Sequence, residues 1–180
     1  MKNNEHQSED INMHTLISKM QKEDSNYANL CRRLQWLYWV LAPLYLVMMV
    51  RHYFDDGTKE DMIGNACFFL AMLSFGLLLR KYQKEYQGVN YALPTLLMLK
   101  QAVNRYSPFT KRTLLVIPGV VLAYIGFILS ASNFTSPIFV HAFFGGAILV
   151  GVTGGLIYWK TKYKSLRDDA KKMLRDIENG

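Results

Sequence analysis

The sequence predicts an all-α integral membrane protein: a four-helix bundle in the membrane, with amphipathic cytosolic helices before, between and after the spans. Hydrophobic residues make up 51% of the chain and charged residues 19%. Hydrophobic and charged residues are segregated along the chain. No Asp, Glu, Lys or Arg occurs in residues 34–50, 62–79 or 113–159. Uncharged apolar runs of about 17 to 25 residues are typical of helices that cross the hydrocarbon core of a bilayer.

The domain boundaries follow from these runs and from the basic residues that flank them. The spans are predicted at about 34–52, 62–80, 113–131 and 138–159. Around them we expect a cytosolic N-terminal arm (1–33), an interfacial helix (about 93–106) and a cytosolic C-terminal amphipathic helix (160–180). Pro94 suits the first turn of the interfacial helix, and Pro43 and Pro118 are predicted to kink the spans that contain them.

The fourth span is expected to be the hub of the bundle, because it is long, uncharged and rich in small residues. In lipid, small residues spaced four apart let helix backbones approach closely. The residues predicted to pack helices in this way are Gly119, Ala123, Gly126, Ala142, Gly146, Ala147, Gly151 and Gly155. The same spacing serves contacts within the chain and contacts with a second copy, so the sequence is also compatible with a homodimer.

The distribution of basic residues predicts the topology. Segments 1–33, 80–112 and 160–180 carry 5, 7 and 7 of the 21 Lys and Arg residues, whereas 51–61 carries two and 131–137 none. Basic residues concentrate on the cytosolic side of membrane proteins. The sequence therefore predicts a multi-pass protein of the bacterial inner membrane with both termini in the cytosol.

Both terminal segments carry apolar stripes at helical spacing, which we expect to bind a cytosolic partner. The candidate partner-binding residues are Met13, Leu16, Ile17, Met20, Tyr27, Leu30, Tyr163, Leu166, Ala170, Met173 and Ile177. Two other interpretations stay open, in which these helices pack on each other or lie on anionic lipid. Asp24 can cap a new helix, although a single helix that runs on into the first span fits the spacing equally well.

No pattern in the chain indicates an enzyme, a cofactor or a metal site. The nucleophile, zinc-protease, paired-cysteine and phosphate-loop motifs are all missing from the sequence. His141 is the only histidine within a span, and it could form a polar site with Asn65, although a simple hydrogen bond to a neighbouring helix explains it as well. A disulfide between Cys31 and Cys67 is not expected, because half a membrane would separate them. Direct binding of nucleic acid is not expected either, since acids interleave with the bases in both tails.

Two segments carry a resemblance to a known group of proteins. KMQKEDSNYANLCRRLQWLYWVLAPLY, in the arm and first span, and SLRDDAKKMLRDIE, in the tail, resemble small bacterial membrane proteins encoded beside extracytoplasmic-function sigma factors. The resemblance implies an anti-sigma or sigma-regulatory role, in which a cytosolic segment holds the factor at the membrane. The chain lacks the zinc-binding His and Cys pattern of many anti-sigma domains.

The leading functional hypothesis is therefore a non-enzymatic inner-membrane regulator or scaffold, with a cytosolic protein, such as a sigma factor, as its partner. The alternative is a small transporter, a channel or a subunit of a membrane complex that acts through the glycine-rich spans. The alternative is favoured by the small-residue spacing in the third and fourth spans, and it predicts flux across a bilayer.

Overall fold

The structure is a computed structural model that describes residues 2–54, 58–108, 113–131 and 136–179. Its elements are α1 (Lys2–Phe54), α2 (Lys59–Gln87), α3 (Thr95–Arg105), a 3-10 turn (Thr113–Val116), α4 (Ile117–Ala131) and α5 (Pro137–Asn179). These residues contain no strand, and four of the helical segments are long and apolar enough to cross a membrane. The predicted all-α class with four candidate spans is confirmed.

The longest helix, α1, joins the N-terminal arm and the first span without interruption. Its 53 residues correspond to about 80 Å at the usual rise of 1.5 Å per residue. It passes through Asp24 and Pro43, and the sequence has no glycine before Gly57. Of the two alternatives for the arm, the structure shows the single helix. The fourth span and the C-terminal segment are likewise one helix, α5.

The central helix of the bundle is α2, which packs against α1 on one side and α4 on another. Aromatic pairs join α1 to α2: Tyr45 stacks on Phe68 with ring centroids 5.0 Å apart, and Tyr38 lies 5.5 Å from Phe75. The sequence predicts residues 138–159 as the hub of the bundle, and this prediction is wrong, because α2 occupies that position. Glycine content alone does not determine which helix occupies the middle, since the aromatic and small residues of α2 meet neighbours on more than one face.

Glycines bring the backbones of α2 and α4 into close contact. A Cβ atom added to Gly126 would lie 2.9 Å from the carbonyl oxygen of Gly64, and one added to Gly119 would lie 2.8 Å from the ring of Phe75. Real Cβ atoms do not approach other atoms so closely, so larger side chains here would push the helices apart. Of the predicted packing residues, Gly119 and Gly126 lie at this contact and Ala123 lies half-buried between them.

The apolar half of α5 stands largely apart from the other spans. It contacts α4 near its own start, where Phe144 and Phe143 lie against Tyr124 and Phe127 at centroid distances of 4.9 and 5.7 Å. Farther along α5 the side chains are exposed. Large apolar side chains are exposed on the other spans too, as expected of surfaces that face lipid.

Candidate functional site

Outside the spans, α1, α3 and α5 meet in a buried apolar core that we call the juxtamembrane cluster. Its buried members are Leu16, Met20, Met98, Leu99, Ala102, Tyr106, Tyr163, Leu166 and Ala170. The three amphipathic segments expected from the sequence thus pack on each other here. Each segment has one apolar face, which a single helix cannot cover by itself. Packing the three segments together buries all three apolar faces.

This packing uses most of the residues expected to bind a partner. Nine of the eleven candidates lie in the juxtamembrane cluster or against it, including Met13, Ile17, Tyr27 and Met173 at its edge. The remaining two, Leu30 and Ile177, are 40% and 44% exposed. A partner that used the other nine would have to displace contacts within the chain, so the stripes are not open binding surfaces in this structure.

A buried ion pair lies beside this core and joins α1 to α3. The Arg105 guanidinium lies 3.3 Å from the Asp24 carboxylate, and their side chains are only 8% and 2% exposed. The hydroxyls of Tyr91 and Tyr106 both donate hydrogen bonds to the same carboxylate, the second at 2.8 Å. Arg105 is the last residue of α3, where a positive charge also interacts favourably with the helix dipole.

Burial dominates the ionisation of this group. Loss of solvation raises the pKa of Asp24 above its ordinary value, and Arg105 together with the two tyrosines offsets this only in part. Burial also raises the pKa of Tyr91 and of Tyr106, and the neighbouring Asp24 charge adds to both shifts. Both phenols therefore stay protonated over the ordinary pH range and remain donors to the carboxylate.

Tyr106 connects all three helices of the juxtamembrane cluster. Its hydroxyl donates to Asp24 on α1, and its backbone carbonyl accepts a 2.7 Å hydrogen bond from the indole of Trp159 on α5. Its ring stacks on Tyr163 with centroids 5.6 Å apart. Trp159 in turn carries the Arg167 guanidinium 5.1 Å above its ring. Tyr106 thus fixes the position of α5 relative to α1 and α3.

This polar group is not among the sequence predictions, in which Asp24 is a candidate helix cap. One signal could have revealed it. Ile17, Asp24 and Cys31 are seven apart, so Asp24 lies on the same helical stripe as apolar residues, and a charge there needs a buried counter-charge. Nothing in the sequence identifies Arg105 as that partner, because the pairing depends on how α3 packs.

A cavity of about 440 Å³ opens where five parts of the chain come together: α1, the end of α2, the end of α3 with the segment after it, the 3-10 turn before α4, and α5. We call it the aromatic cavity, because six tyrosines and Trp159 line it. Its other lining residues include Arg105 and, from the apolar half of α5, Val152, Gly155 and Leu156. The aromatic cavity therefore lies between the juxtamembrane cluster and the spans.

The glycine face of α5, which we define as Ala147, Gly151 and Gly155, also has no partner in the described chain. A Cβ atom built on either of its two glycines would meet no atom within 4 Å, and all three residues are exposed. Ala142 and Gly146 are exposed as well, but they lie on a different side of the helix. Gly126 of α4, in contrast, is in close contact with the backbone of α2 at Gly64. The sequence predicts close helix packing at Ala142, Gly146, Ala147, Gly151 and Gly155, and this packing is not made within the described chain.

The polar site suggested for His141 and Asn65 is not assembled. The His141 Nδ1 lies 2.8 Å from the Tyr124 hydroxyl, and the Asn65 amide donates to the Asp61 carbonyl at 2.9 Å on its own helix. Within the described ranges, no group of three or more His, Cys, Asp or Glu residues could hold a metal ion. Cys31 and Cys67 are not joined in a disulfide.

Comparison with known protein families matches residues 16–158 to the family described as mechanosensitive ion channel inner membrane domain 1. Comparison with curated proteins and with solved structures gave no match. The matched range covers most of the chain and extends into all four candidate spans. Together with the four apolar helices, it supports a multi-pass inner-membrane protein.

This match corrects the family resemblance drawn from the sequence. The resemblance to membrane proteins encoded beside sigma factors is wrong, and the regulatory role that it implied has no support in the family match. It depended on the arm and the tail, whose repeated apolar, acidic and basic residues are common to many amphipathic helices. The channel alternative agrees better with the match than the regulator hypothesis does.

Proposed function

This chain belongs to the mechanosensitive ion channel inner membrane domain 1 family, and we propose that it is a subunit of a channel-type assembly that forms through the glycine face of α5. The observation that carries the proposal is the open space around Gly151 and Gly155, which lie on one side of α5. In a bilayer, moving an apolar side chain from lipid into a helix interface gains little free energy, because both environments are apolar. Helices therefore associate through close backbone packing at small residues. The Gly64–Gly126 contact is an example of such packing inside the chain.

The absence of charge within the spans supports an assembly of several copies. No Asp, Glu, Lys or Arg occurs in the uncharged runs, so no ionised side chain lines a route through one subunit. The space between α1, α2 and α4 is occupied by aromatic rings and glycine contacts. A path between subunits would be bounded by apolar helices, and such constrictions open and close by wetting and dewetting.

Replacing Gly151 with leucine is expected to weaken assembly and flux together. A leucine at the centre of the glycine face keeps the backbones apart, and we expect self-association to weaken about tenfold, the scale of close helix contacts in lipid. Self-association would be measured by chemical cross-linking in liposomes, and channel activity by ion release from the same liposomes under osmotic down-shift.

Val150→Leu is the matched control, because Val150 is adjacent on α5, 70% exposed and outside the glycine face. It is expected to behave like the wild type in both measurements. An assembled wild type that releases no ions would contradict the channel function. Normal assembly of the Gly151→Leu variant would instead contradict the role of the glycine face and leave the channel function standing.

The proposed orientation places the juxtamembrane cluster in the cytosol. The support for this orientation is the distribution of Lys and Arg. Of the 21 such residues, 19 lie in the N-terminal segment, residues 80–112 and the C-terminal segment, and basic residues concentrate on the cytosolic side of membrane proteins. The α1–α2 connection would then face the opposite side, and the structure offers an exposed residue on each side for labelling, Lys59 and Lys164.

We expect a membrane-impermeant maleimide added to spheroplasts to label Lys59→Cys but not Lys164→Cys, in a background with Cys31 and Cys67 replaced by serine. After permeabilisation both positions should react, which controls for accessibility. Labelling of Lys164→Cys in intact spheroplasts would reverse the proposed orientation.

A further inference from the structure

The apolar half of α5 is held near its start, and its middle section has no packing partner in the described chain. Near the start, the His141 Nδ1 lies 2.8 Å from the Tyr124 hydroxyl, and Phe144 packs against the same tyrosine. Residues 145–158 are all exposed, and a Cβ atom on any glycine among them would meet no atom within 4 Å. This section is about 20 Å long. Packing within the described chain therefore does not resist a change in the tilt of α5 over most of its span.

The first residue after this section that ties α5 to other helices is Trp159. Its indole nitrogen donates a 2.7 Å hydrogen bond to the backbone carbonyl of Tyr106. The Tyr106 hydroxyl in turn donates to the buried Asp24 carboxylate on α1. A backbone carbonyl cannot rotate independently of its chain, so this bond holds α5 at one position relative to α1 and α3. We call Trp159, Tyr106 and Asp24 together the Trp159 clamp.

Stretching a bilayer favours a larger tilt of α5. A laterally stretched bilayer becomes thinner, and a span that is longer than the hydrocarbon core tilts to fit it. The uncharged residues 138–159 of α5 extend over about 33 Å, against a core of about 30 Å before any thinning. Because α5 is one continuous helix, tilting its apolar half also moves the part beyond Trp159. The Trp159 clamp opposes this movement, since it ties α5 to the juxtamembrane cluster outside the spans.

We propose that the Trp159 clamp restrains the tilt of α5 and thereby sets the membrane tension at which the channel-type assembly opens. The inference rests on the proposed function, because it assigns a regulation to the assembly that forms through α5. A contact that breaks during opening stabilises the closed state, so its removal lowers the tension that opening requires.

Patch-clamp recording of the full-length protein in giant liposomes tests this role. Trp159→Phe keeps an apolar ring but removes the N–H donor. At a tension that opens few wild-type channels, we expect it to raise the open fraction about fivefold, the change that loss of one hydrogen bond produces. Trp36→Phe is the matched control, because Trp36 is 66% exposed on α1. Tyr91→Phe removes another donor to Asp24 that is not on the route to Trp159. Both should open at the wild-type tension.

A distance measurement examines the tilt without requiring flux. Spin labels at Val150→Cys on α5 and Val47→Cys on α1, both exposed positions, would be placed in a background with Cys31 and Cys67 replaced by serine. Labelled chains are diluted with unlabelled ones, so that each assembly holds one labelled chain. On transfer to thinner bilayers of shorter acyl chains, we expect the distance to change more with Trp159→Phe than without it.

The outcomes separate this inference from the proposed function. Equal open fractions for Trp159→Phe and an active wild type would overturn the Trp159 clamp and leave the channel function standing. Equal distance changes with and without Trp159→Phe would overturn the clamp as well. A raised open fraction in Tyr91→Phe equal to that in Trp159→Phe would mean that general loosening of the juxtamembrane cluster is responsible, which also overturns it. A wild type that opens at no tension would contradict the channel function and the role of the clamp together.

Discussion

Replacing Asp24 with leucine is expected to cost about 3 to 5 kcal/mol of the stability of the juxtamembrane cluster. The substitution leaves the Arg105 guanidinium, 8% exposed, without a counter-charge. It also removes the acceptor for the hydroxyls of Tyr91 and Tyr106. Denaturant unfolding in detergent, followed by the fluorescence of Trp159, would report on this region alone when Trp36 and Trp39 are replaced by phenylalanine.

An exposed ion pair provides the matched control. Arg167 and Asp168 are in contact at 2.8 Å, but their side chains are 28% and 47% exposed. Asp168→Leu is therefore expected to cost no more than about 1 kcal/mol. Equal losses for Asp24→Leu and Asp168→Leu would mean that the Asp24–Arg105 pair is hydrated and not buried.

The raised pKa of Asp24 makes the expectation for the double variant specific. Since desolvation raises this pKa in spite of Arg105, the attraction of Arg105 does not fully offset the cost of burying the Asp24 carboxylate. Removing both charges in Asp24→Leu with Arg105→Met should then recover most of the stability that the single variant loses. The Asp24–Arg105 pair would thus determine the position of α3 on α1, while contributing little to the free energy of their packing.

The class of the fold could be predicted because charges are expensive in hydrocarbon, so their positions along the chain reveal the spans directly. The Asp24–Arg105 pair could not be predicted in the same way. The two residues lie far apart in sequence, and only the packing of α3 against the arm brings them together. Position on an apolar stripe indicates that Asp24 needs a partner, but it does not identify the partner.

The packing partners of the glycines could not be predicted for the same reason, because they depend on how the helices pack. Small-residue spacing predicts close packing at a given position, but it does not say which helix arrives there. Gly126 was expected to pack, and its partner proved to be Gly64 of α2. The glycines of α5 have the same spacing and no partner in the described chain. The amphipathic segments likewise suggested a protein partner, although they have enough apolar surface to bury one another.

Replacing Gly126 with leucine is the second change with a large expected effect. Its Cβ would lie 2.9 Å from the Gly64 carbonyl oxygen, which is backbone and cannot rotate away, and 3.2 Å from the ring of Phe68. α4 would have to move away from α2, which would open the contact at Gly119 as well. We expect a loss of about 3 kcal/mol, at the upper end of the usual cost of overpacking.

The change at Gly126 can be separated from the general effect of putting leucine in place of a helical glycine. Gly145 is also within a membrane helix, and a Cβ there meets no atom within 4 Å. Gly145→Leu gains the same helix propensity, about 1 kcal/mol, without the clash. Unfolding of both variants by dodecyl sulfate, measured by circular dichroism, should therefore shift the midpoint down for Gly126→Leu and leave it equal or higher for Gly145→Leu. If both variants unfolded at the same dodecyl sulfate concentration, α2 and α4 would not be in backbone contact, and the position of α2 as the central helix would have to be given up.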